Sequence, residues 1–498
     1  MEMVHSIKPL LAILTSLVAA FLILFTGERH PNLRDFWSIA ASVIKFAIVL
    51  SMLPIVLSGK MIEFTLFQIW PHVFLQFRVD AFGMIFALLA SGLWIAVSFY
   101  SIGYMRGLKE HAQTRFFFCF AIAIFSAVGV AMSGNLVTLY LFYEVLTVST
   151  FPLVAHKETP EAIKAGRKYL AYLLTGGCFA LFSIGWTYYL TGSVDFAPGG
   201  FLAGHGTANQ LRLLFLTFMI GFGSKAAIMP LHEWLPSAMI APTPVSALLH
   251  AVAVVKAGVF CCLRVILYVF GPKLLSDLNL WIILAYVVSF TIIVANLLAI
   301  AQDHLKRRLA FSTINNLSII ILGAALLSPE AIKGSMLHIA FHGFMKITLF
   351  LCAGAIYVKT HKEYISDMNG IGRQMPFTMA AFTIGAIGLT GIPPICGFIS
   401  KWYLCVGAME TKHIIFLVVL LASAILDAVY FFPVIINAFF KSPQTSNPGN
   451  HISEAPAFVV VPLVITAIFS VVFCIFPDAF THFFKIASIA TQNIMGVH

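Results

Sequence analysis

Charged residues are scarce in this sequence of 498 residues. Only 10% are Asp, Glu, Lys or Arg, whereas 60% are Ala, Val, Ile, Leu, Met, Phe, Trp, Tyr or Cys. Water-soluble domains average about 25% charged residues, because polar groups must cover their surface. The shortage excludes a large soluble protein and a disordered chain. It predicts a protein that crosses a lipid bilayer many times.

Motifs for clusters and nucleotides are absent as well. The eight cysteines form no C-x-x-C pair, and no G-x-G-x-x-G follows a strand pattern. We therefore expect no cofactor and no redox centre on this chain. The net charge of +10 does not indicate nucleic acid binding, because loop lysines and arginines orient membrane proteins in the bilayer.

The apolar residues form stretches long enough to cross a membrane as helices. About 20 residues span about 30 Å of hydrocarbon, and the sequence contains fourteen such stretches. They cover residues 9–27, 36–58, 83–104, 115–133, 135–155, 167–192, 211–229, 243–271, 277–301, 308–328, 334–357, 376–409, 413–440 and 456–477. The first is too long for the apolar core of a signal peptide and lacks a following A-x-A site, so we predict a mature helix there.

Lysines and arginines in the connecting loops are distributed unequally between the two sides. With fourteen spans, one side carries sixteen basic residues and the other carries eight. Basic loops remain in the cytoplasm. The pattern predicts a plasma or bacterial inner membrane protein with both termini outside.

Eight lysine, arginine, aspartate and glutamate residues lie in the interior of the apolar stretches. They are Lys45, Glu144, Lys225, Lys256, Arg264, Lys346, Lys401 and Asp427. A charge at bilayer depth costs at least about 2.5–3.5 kcal/mol on insertion scales, so such residues face the protein interior or water and mark ion paths. The set predicts an ion-conducting route.

Two of these lysines lie beside helix-breaking segments. Lys225 belongs to GFGSKAAIMPLHEWLP and Lys401 to LTGIPPICGFISKWYL. Glycine and proline interrupt helices, and unwound backbone at membrane depth is tolerated only where protein or water lines it. Broken helices at corresponding places indicate inverted repeats around a midplane ion site. Spans 4–8 and 9–13 would be the two repeats.

Two histidines and a lysine recur with helical spacing. His338, His342 and Lys346 are four residues apart, which places them on one helix face at steps of about 6 Å. Histidine titrates near neutral pH, so the row predicts a proton relay. A metal site at the two histidines is the alternative. Neither an H-E-x-x-H pattern nor a third nearby ligand supports it, so we expect no metal.

The two acidic residues in the spans need cationic partners. A lone glutamate at position 144 would be protonated, and we expect Lys225 to be its partner. Asp427 has two possible roles, as a partner of Lys401 or as part of a separate exit path.

The remaining basic residues fall into two groups. Lys256 is in the middle of a span and His250 precedes it by six residues, about 600° of helical rotation, so the two do not share a face. We regard both as relay candidates. For Lys45 we expect a contact with a neighbouring subunit, and for Arg264 a side chain that extends to the membrane interface.

At these residues the sequence resembles the antiporter-like subunits of respiratory complex I, Mrp-type cation/proton antiporters and membrane-bound hydrogenases. The similarity covers roughly residues 80–440. It rests on KAAIMPLHEWLP (225–236), APTPVSALLH (241–250), VKAG (255–258), DHLKRRLAF (303–311), HGFMKITLFLCAG (342–354) and GIPPICGFISK (391–401).

The resemblance implies an all-α membrane protein of about fourteen transmembrane helices with two inverted five-helix repeats, each with a broken helix. We expect helices 1–3 over 1–110, the repeats over 115–271 and 277–440, and a last helix with a short tail over 456–498. The implied proton path uses Glu144, Lys225, Lys256 and Lys401, with His250, His338, His342, Lys346 and Asp427 as further relay sites.

The resemblance also implies a proton-translocating subunit whose partners are other membrane subunits. Lys401 replaces the glutamate of the complex I M type, and the chain stops before the long lateral helix of the L type. The Mrp D type, the equivalent hydrogenase subunit and the complex I N type remain, and both protons and sodium remain open as transported ions. A self-contained carrier of an organic solute is the alternative function, because broken helices suit it as well.

Overall fold

The computed structural model describes residues 2–442 and 452–496. The predicted segments 1–110 and 456–498 therefore extend slightly beyond the described residues, at Met1 and at 497–498. The described part is mostly helical, as the composition predicts.

The helices follow one another along the chain with short connections. They are α1 (Lys8–Thr26), α2 (Pro31–Leu50), α3 (Leu53–Leu57), α4 (Ala81–Gly107), α5 (Gln113–Ala131), α6 (Leu136–Val154), α7 (Pro160–Thr191), α8 (Ala208–Lys225), α9 (Trp234–Ser237), α10 (Thr243–Ala247), α11 (Val254–Arg264), α12 (Pro272–Asp277), α13 (Leu280–Ile300), α14 (Leu305–Ala325), α15 (Pro329–Thr360), α16 (Ile371–Gln374), α17 (Pro376–Thr390), α18 (Gly397–Glu410), α19 (Ile414–Phe440), α20 (Ala457–Ile475) and α21 (Phe483–Met495).

A small sheet corrects the expectation of a purely helical protein. Strand β2 (Met61–Trp70) pairs in parallel with β1 (Met3–His5) and antiparallel with β3 (Val73–Val79). Strand β3 leads directly into α4, where the Asp80 carboxylate accepts a hydrogen bond from the Gly83 amide at 2.7 Å. The sheet thereby anchors the start of a long central helix.

Within the described residues, twelve helical segments are long and apolar enough to cross a membrane. The predicted count of fourteen is therefore not confirmed. The two predicted spans that do not qualify are 211–229 and 376–409. In the first, α8 ends at Lys225, and in the second a non-helical segment separates α17 from α18. The glycines and prolines thus interrupt the helices where the sequence predicts.

The centre of the bundle consists of three helical segments that are shielded from lipid. The apolar windows of 243–270, α14 and α15 are wholly buried, whereas α1, α19 and α20 expose much of their apolar surface. The 243–270 segment is itself irregular, because a π-helical turn at Leu248–Val252 lies between α10 and α11. Such turns are common at functional sites.

Candidate functional site

Lys225 occupies the last turn of α8, directly before the chain unwinds. Its side chain is fully buried. The Lys225 Nζ donates hydrogen bonds to the Tyr143 carbonyl at 2.7 Å and to the Thr147 hydroxyl at 2.9 Å. It also lies 3.3 Å from the centre of the Tyr143 ring, where a cation is attracted to the π face. The oxygen atoms that hold this amine are all neutral.

Glu144 lies on α6 between the residues that bind Lys225, but it does not reach the lysine. Among the described residues, no ion pair joins Glu144 to Lys225, and the buried Glu144 Oε1 has no hydrogen-bond partner. The carboxylate packs against Gly177, where an added Cβ would lie 2.1 Å from Oε1. The Glu144 and Lys225 groups are near enough to interact electrostatically but form no direct ion pair in this conformation, so the predicted pairing stays a prediction.

The unwound segment after Lys225 is fixed by contacts from three sides. Trp234 Nε1 donates to the Ser224 carbonyl at 2.9 Å, and the Met229 amide donates to the Thr291 hydroxyl at 3.3 Å. Glu233 pairs with Lys168 of α7. The hydrogen bond from Lys168 lowers the pKa of the exposed Glu233 carboxyl.

Lys256 connects the first half of the molecule to the histidine row of α15. Its buried Nζ donates to the Ile339 carbonyl at 2.9 Å and lies 2.8 Å from His342 Nδ1. His250 lies in the π-helical turn and packs on the Phe350 ring at a centroid distance of 4.7 Å. Neither of its ring nitrogens has a hydrogen-bond partner within the described part of the chain. Lys256 and His250 thus have different surroundings, as the helical rotation predicts.

The row on α15 forms, and all three of its side chains are buried. The rings of His338 and His342 lie 5.8 Å apart. His338 is held from both sides, with Nδ1 at 2.8 Å from the Ser400 hydroxyl and Nε2 at 3.1 Å from the side-chain oxygen Oδ1 of Asn316. The row therefore extends from Lys256 to the helix that carries Lys401.

A second chain of hydrogen bonds connects Lys346 to Lys401. The Lys346 amine donates to the Ser312 hydroxyl at 2.9 Å. The Tyr430 hydroxyl bridges Ser312, at 2.8 Å, and Asp427. Asp427 in turn forms an ion pair of 2.8 Å with Lys401. Of the two roles left open for Asp427, the structure shows the pairing with Lys401.

Several polar residues of this site escaped the sequence analysis. Ser312, Asn315 and Asn316 share the polar face of α14, and their spacing of three and four residues inside an apolar span was an available signal. Asn315 donates to Asp427 at 2.9 Å. Tyr430 has no such signal, because a tyrosine in an apolar helix is common.

Two basic residues outside this series of hydrogen bonds differ from expectation. Arg264 does not extend to the interface. It is buried and donates two hydrogen bonds to Asp80 at 2.6 and 2.7 Å. Lys45 is buried within the chain and donates to the Ser16 hydroxyl at 2.5 Å, so a subunit contact is wrong for it as well.

Comparison with known proteins agrees with this arrangement. Residues 133–426 match the family described as "NADH:quinone oxidoreductase/Mrp antiporter, TM". Residues 71–117 match "NADH-Ubiquinone oxidoreductase (complex I), chain 5 N-terminus". The chain belongs to this antiporter-like family. The resemblance seen in the motifs is thereby confirmed.

Individual relatives come from more than one kind of complex. NADH-quinone oxidoreductase subunit N of Desulforudis audaxviator is 33% identical over 78% of this chain and 81% of its own length. Na(+)/H(+) antiporter subunit A1 of Staphylococcus haemolyticus is 29% identical over 100% of this chain and 64% of its own length. These relatives are subunits of larger assemblies.

A solved structure supports the fold. A chain of the membrane-bound sulfane sulfur reductase (MBS), an archaeal respiratory membrane complex, superimposes with a TM-score of 0.88. The match covers 98% of both chains at 23% sequence identity. At this identity the similarity concerns the fold alone.

Proposed function

We propose that this antiporter-like chain translocates protons, or exchanges cations for protons, as one membrane subunit of a multi-subunit complex. The observation that carries the proposal is the row of titratable side chains through the buried centre of the bundle. Lys256, His342 and His338 follow one another, and Ser400 next connects the row to the helix of Lys401. Ionisable residues at this depth mark ion paths.

Within this proposal the lysines exchange protons under the influence of neighbouring charges. A unit charge 6 Å away changes the free energy of protonation by about 3 kcal/mol at an effective dielectric constant of about 20. Movement of Glu144 towards or away from Lys225 would alter proton occupancy there and, in turn, at Lys256. His250, His338, His342 and Lys346 would relay protons, and Lys401 with Asp427 would form the last step.

The architecture proposed from the sequence accompanies this function. We propose fourteen transmembrane helices, with 1–110 preceding two inverted repeats over 115–271 and 277–440, and 456–498 following them. The breaks after α8 and α17 support this division, because each lies beside a buried lysine. Both termini would lie outside a plasma or bacterial inner membrane.

The type of complex is proposed from sequence motifs. ISDMNGIGRQMP (365–376) and SKWYL (400–404) favour the Mrp D type or its hydrogenase equivalent over complex I. Redox centres and nucleotide sites would then belong to partner subunits. Flavin and iron–sulfur partners in a pull-down from native membranes would indicate a redox pump. Small membrane partners alone would indicate an antiporter.

Substitution of Lys225 and of Glu144 tests the proposed proton transport. We expect Lys225→Ala and Glu144→Ala to abolish proton transport in proteoliposomes containing the whole complex, while assembly survives. Lys60→Ala is the control, because Lys60 forms an exposed pair with Glu2. Normal transport in both variants at normal protein levels would contradict the role of these residues. Organic solute transport by the chain alone would instead favour a self-contained carrier.

Cysteine labelling tests the orientation. Arg307 is exposed at the start of α14, and the proposed topology places it in the cytoplasm. In a cysteine-free background of sealed right-side-out vesicles, Arg307→Cys should resist a membrane-impermeant reagent until the vesicles are opened. Labelling of the intact vesicles would overturn the proposed topology and the repeat assignment.

A further inference from the structure

Two histidines and a glutamate converge at one end of the bundle, away from the proposed proton path. Glu110 and His111 lie in the loop between α4 and α5, and His156 lies in the turn that follows α6. The two imidazole rings stack at a centroid distance of 4.8 Å with an angle of 28°. One donor atom from each of the three residues lies within 4.8 Å of the others.

His156 is the unusual member of this cluster. Its side chain is fully buried, yet neither ring nitrogen has a hydrogen-bond partner among the residues that the structure describes. A buried polar group without a partner costs about 1–3 kcal/mol, so native proteins satisfy nearly all of them. An unpartnered buried imidazole next to two other potential metal ligands is an arrangement suited to binding a ligand.

The chemistry of the cluster fits a metal ion. Two imidazoles and one carboxylate are ligands of Zn²⁺, and a water molecule completes a tetrahedral shell. Burial, together with the neighbouring His111 and Arg115, lowers the pKa of His156 to about 4.

The geometry of the cluster allows it to close around an ion. Donor atoms bound to one Zn²⁺ lie about 3.3 Å apart, so these donor atoms, which all lie within 4.8 Å of one another, need to approach by at most about 1.5 Å. His111 is exposed on a loop and Glu110 is partly exposed, which leaves both free to move. Glu158 forms an ion pair with the nearby Arg115 and offsets part of its positive charge.

We propose that Glu110, His111 and His156 form a Zn²⁺-binding site that joins the loop after α4 to the end of α6. Helix α6 carries Thr147 and the carbonyl that hold Lys225. A bound metal ion would therefore fasten the cytoplasmic end, in the proposed topology, of the helix that forms the first lysine site.

Cobalt absorption tests this site on the full chain within its complex. Co²⁺ replaces Zn²⁺ and gives visible d–d bands when it is bound in a tetrahedral shell. We expect one equivalent of such Co²⁺ per chain, displaced by Zn²⁺. His111→Ala and Glu110→Gln should weaken Zn²⁺ binding at least about tenfold, since each removes a ligand. His205→Ala, at an exposed loop histidine, is the matched control and should bind as wild type does.

The Co²⁺ spectra and Zn²⁺ affinities distinguish a specific metal site from weak binding by separate surface histidines. Equal Co²⁺ spectra and Zn²⁺ affinities in wild type, His111→Ala, Glu110→Gln and His205→Ala would overturn the proposal. Absence of tetrahedral Co²⁺ in the wild-type complex would overturn it too. His111 and Glu110 are not buried, so their variants should fold even if His156→Ala does not. Binding does not depend on proton transport, so the proposed function can fail without affecting this test.

Discussion

The two broken helices place their lysine amines in different electrostatic surroundings, one among neutral ligands and the other beside a carboxylate. Lys225 is in the last turn before its break, and its amine is held by a carbonyl and a hydroxyl. Lys401 follows its break in the second turn of α18, and its amine forms an ion pair with Asp427 at 2.8 Å. The acid near Lys225, Glu144, has an unbonded Oε1.

Two segments with similar sequence patterns therefore differ in their charge pairs. The acid and the lysine are apart at Lys225 and in contact at Lys401. Moving an ion out of water costs several kcal/mol, and only close pairing with good hydrogen bonds compensates for this cost. The Lys401 site is compensated in this way, whereas a charged Lys225 has only neutral ligands. If each site alternates during turnover between a separated and a contacting acid–lysine pair, the two arrangements seen here are two stages of one transport cycle.

Replacing the acid at each site should produce the largest difference in stability between the two sites. Asp427→Asn leaves the buried Lys401 amine unpaired and should lower the free energy of unfolding by about 3–5 kcal/mol. Glu144→Gln should change it by less than about 1 kcal/mol, because no ion pair is lost. Denaturant unfolding of the purified protein in detergent measures both. Equal destabilisation would mean that Glu144 and Lys225 pair in solution.

Two buried tyrosines provide a smaller and more selective test. The Tyr430 hydroxyl bridges Ser312 and Asp427, whereas the Tyr169 hydroxyl, in the described residues, contacts only the Thr150 hydroxyl, at 2.5 Å. Replacement by Phe should lower the free energy of unfolding by about 1 kcal/mol at Tyr169, the typical value for one hydrogen bond, and by about 1.5–3 kcal/mol at Tyr430, which donates to a carboxylate.

Only Tyr430→Phe should slow proton transport, by about tenfold or more, because only this hydroxyl lies between titratable groups. Initial rates of proton transport, measured in proteoliposomes for both variants, test this prediction. Equal rates in Tyr430→Phe and Tyr169→Phe would exclude the Ser312–Tyr430–Asp427 connection from the path.

Features with a strong local signal could be predicted from the sequence. The breaks beside Lys225 and Lys401 follow from glycine and proline, and the row on α15 follows from the helical period. The family followed from motifs several residues long. Each of these depends on residues that are close together along the chain.

Features that depend on distant partners could not be predicted. Arg264 and Asp80 are 184 positions apart, and Ser312 and Tyr430 are 118 apart. The π-helical turn at Leu248–Val252 contains neither glycine nor proline, so nothing local indicates it. The position of the Glu144 carboxylate is set by the space above Gly177 on another helix.

Proton transport by the Lys346→Arg variant tests most directly the central claim that protons move through the buried lysines. Arginine keeps its charge at any working pH and cannot release a proton. Lys333→Arg is the control, because Lys333 lies on the same helix but pairs with Glu330 at 2.9 Å, outside the row. In proteoliposomes containing the whole complex, we expect Lys346→Arg to assemble normally and transport no protons, while Lys333→Arg transports at the wild-type rate. Wild-type transport by Lys346→Arg would contradict the account, because Lys346 would then be only a fixed positive charge.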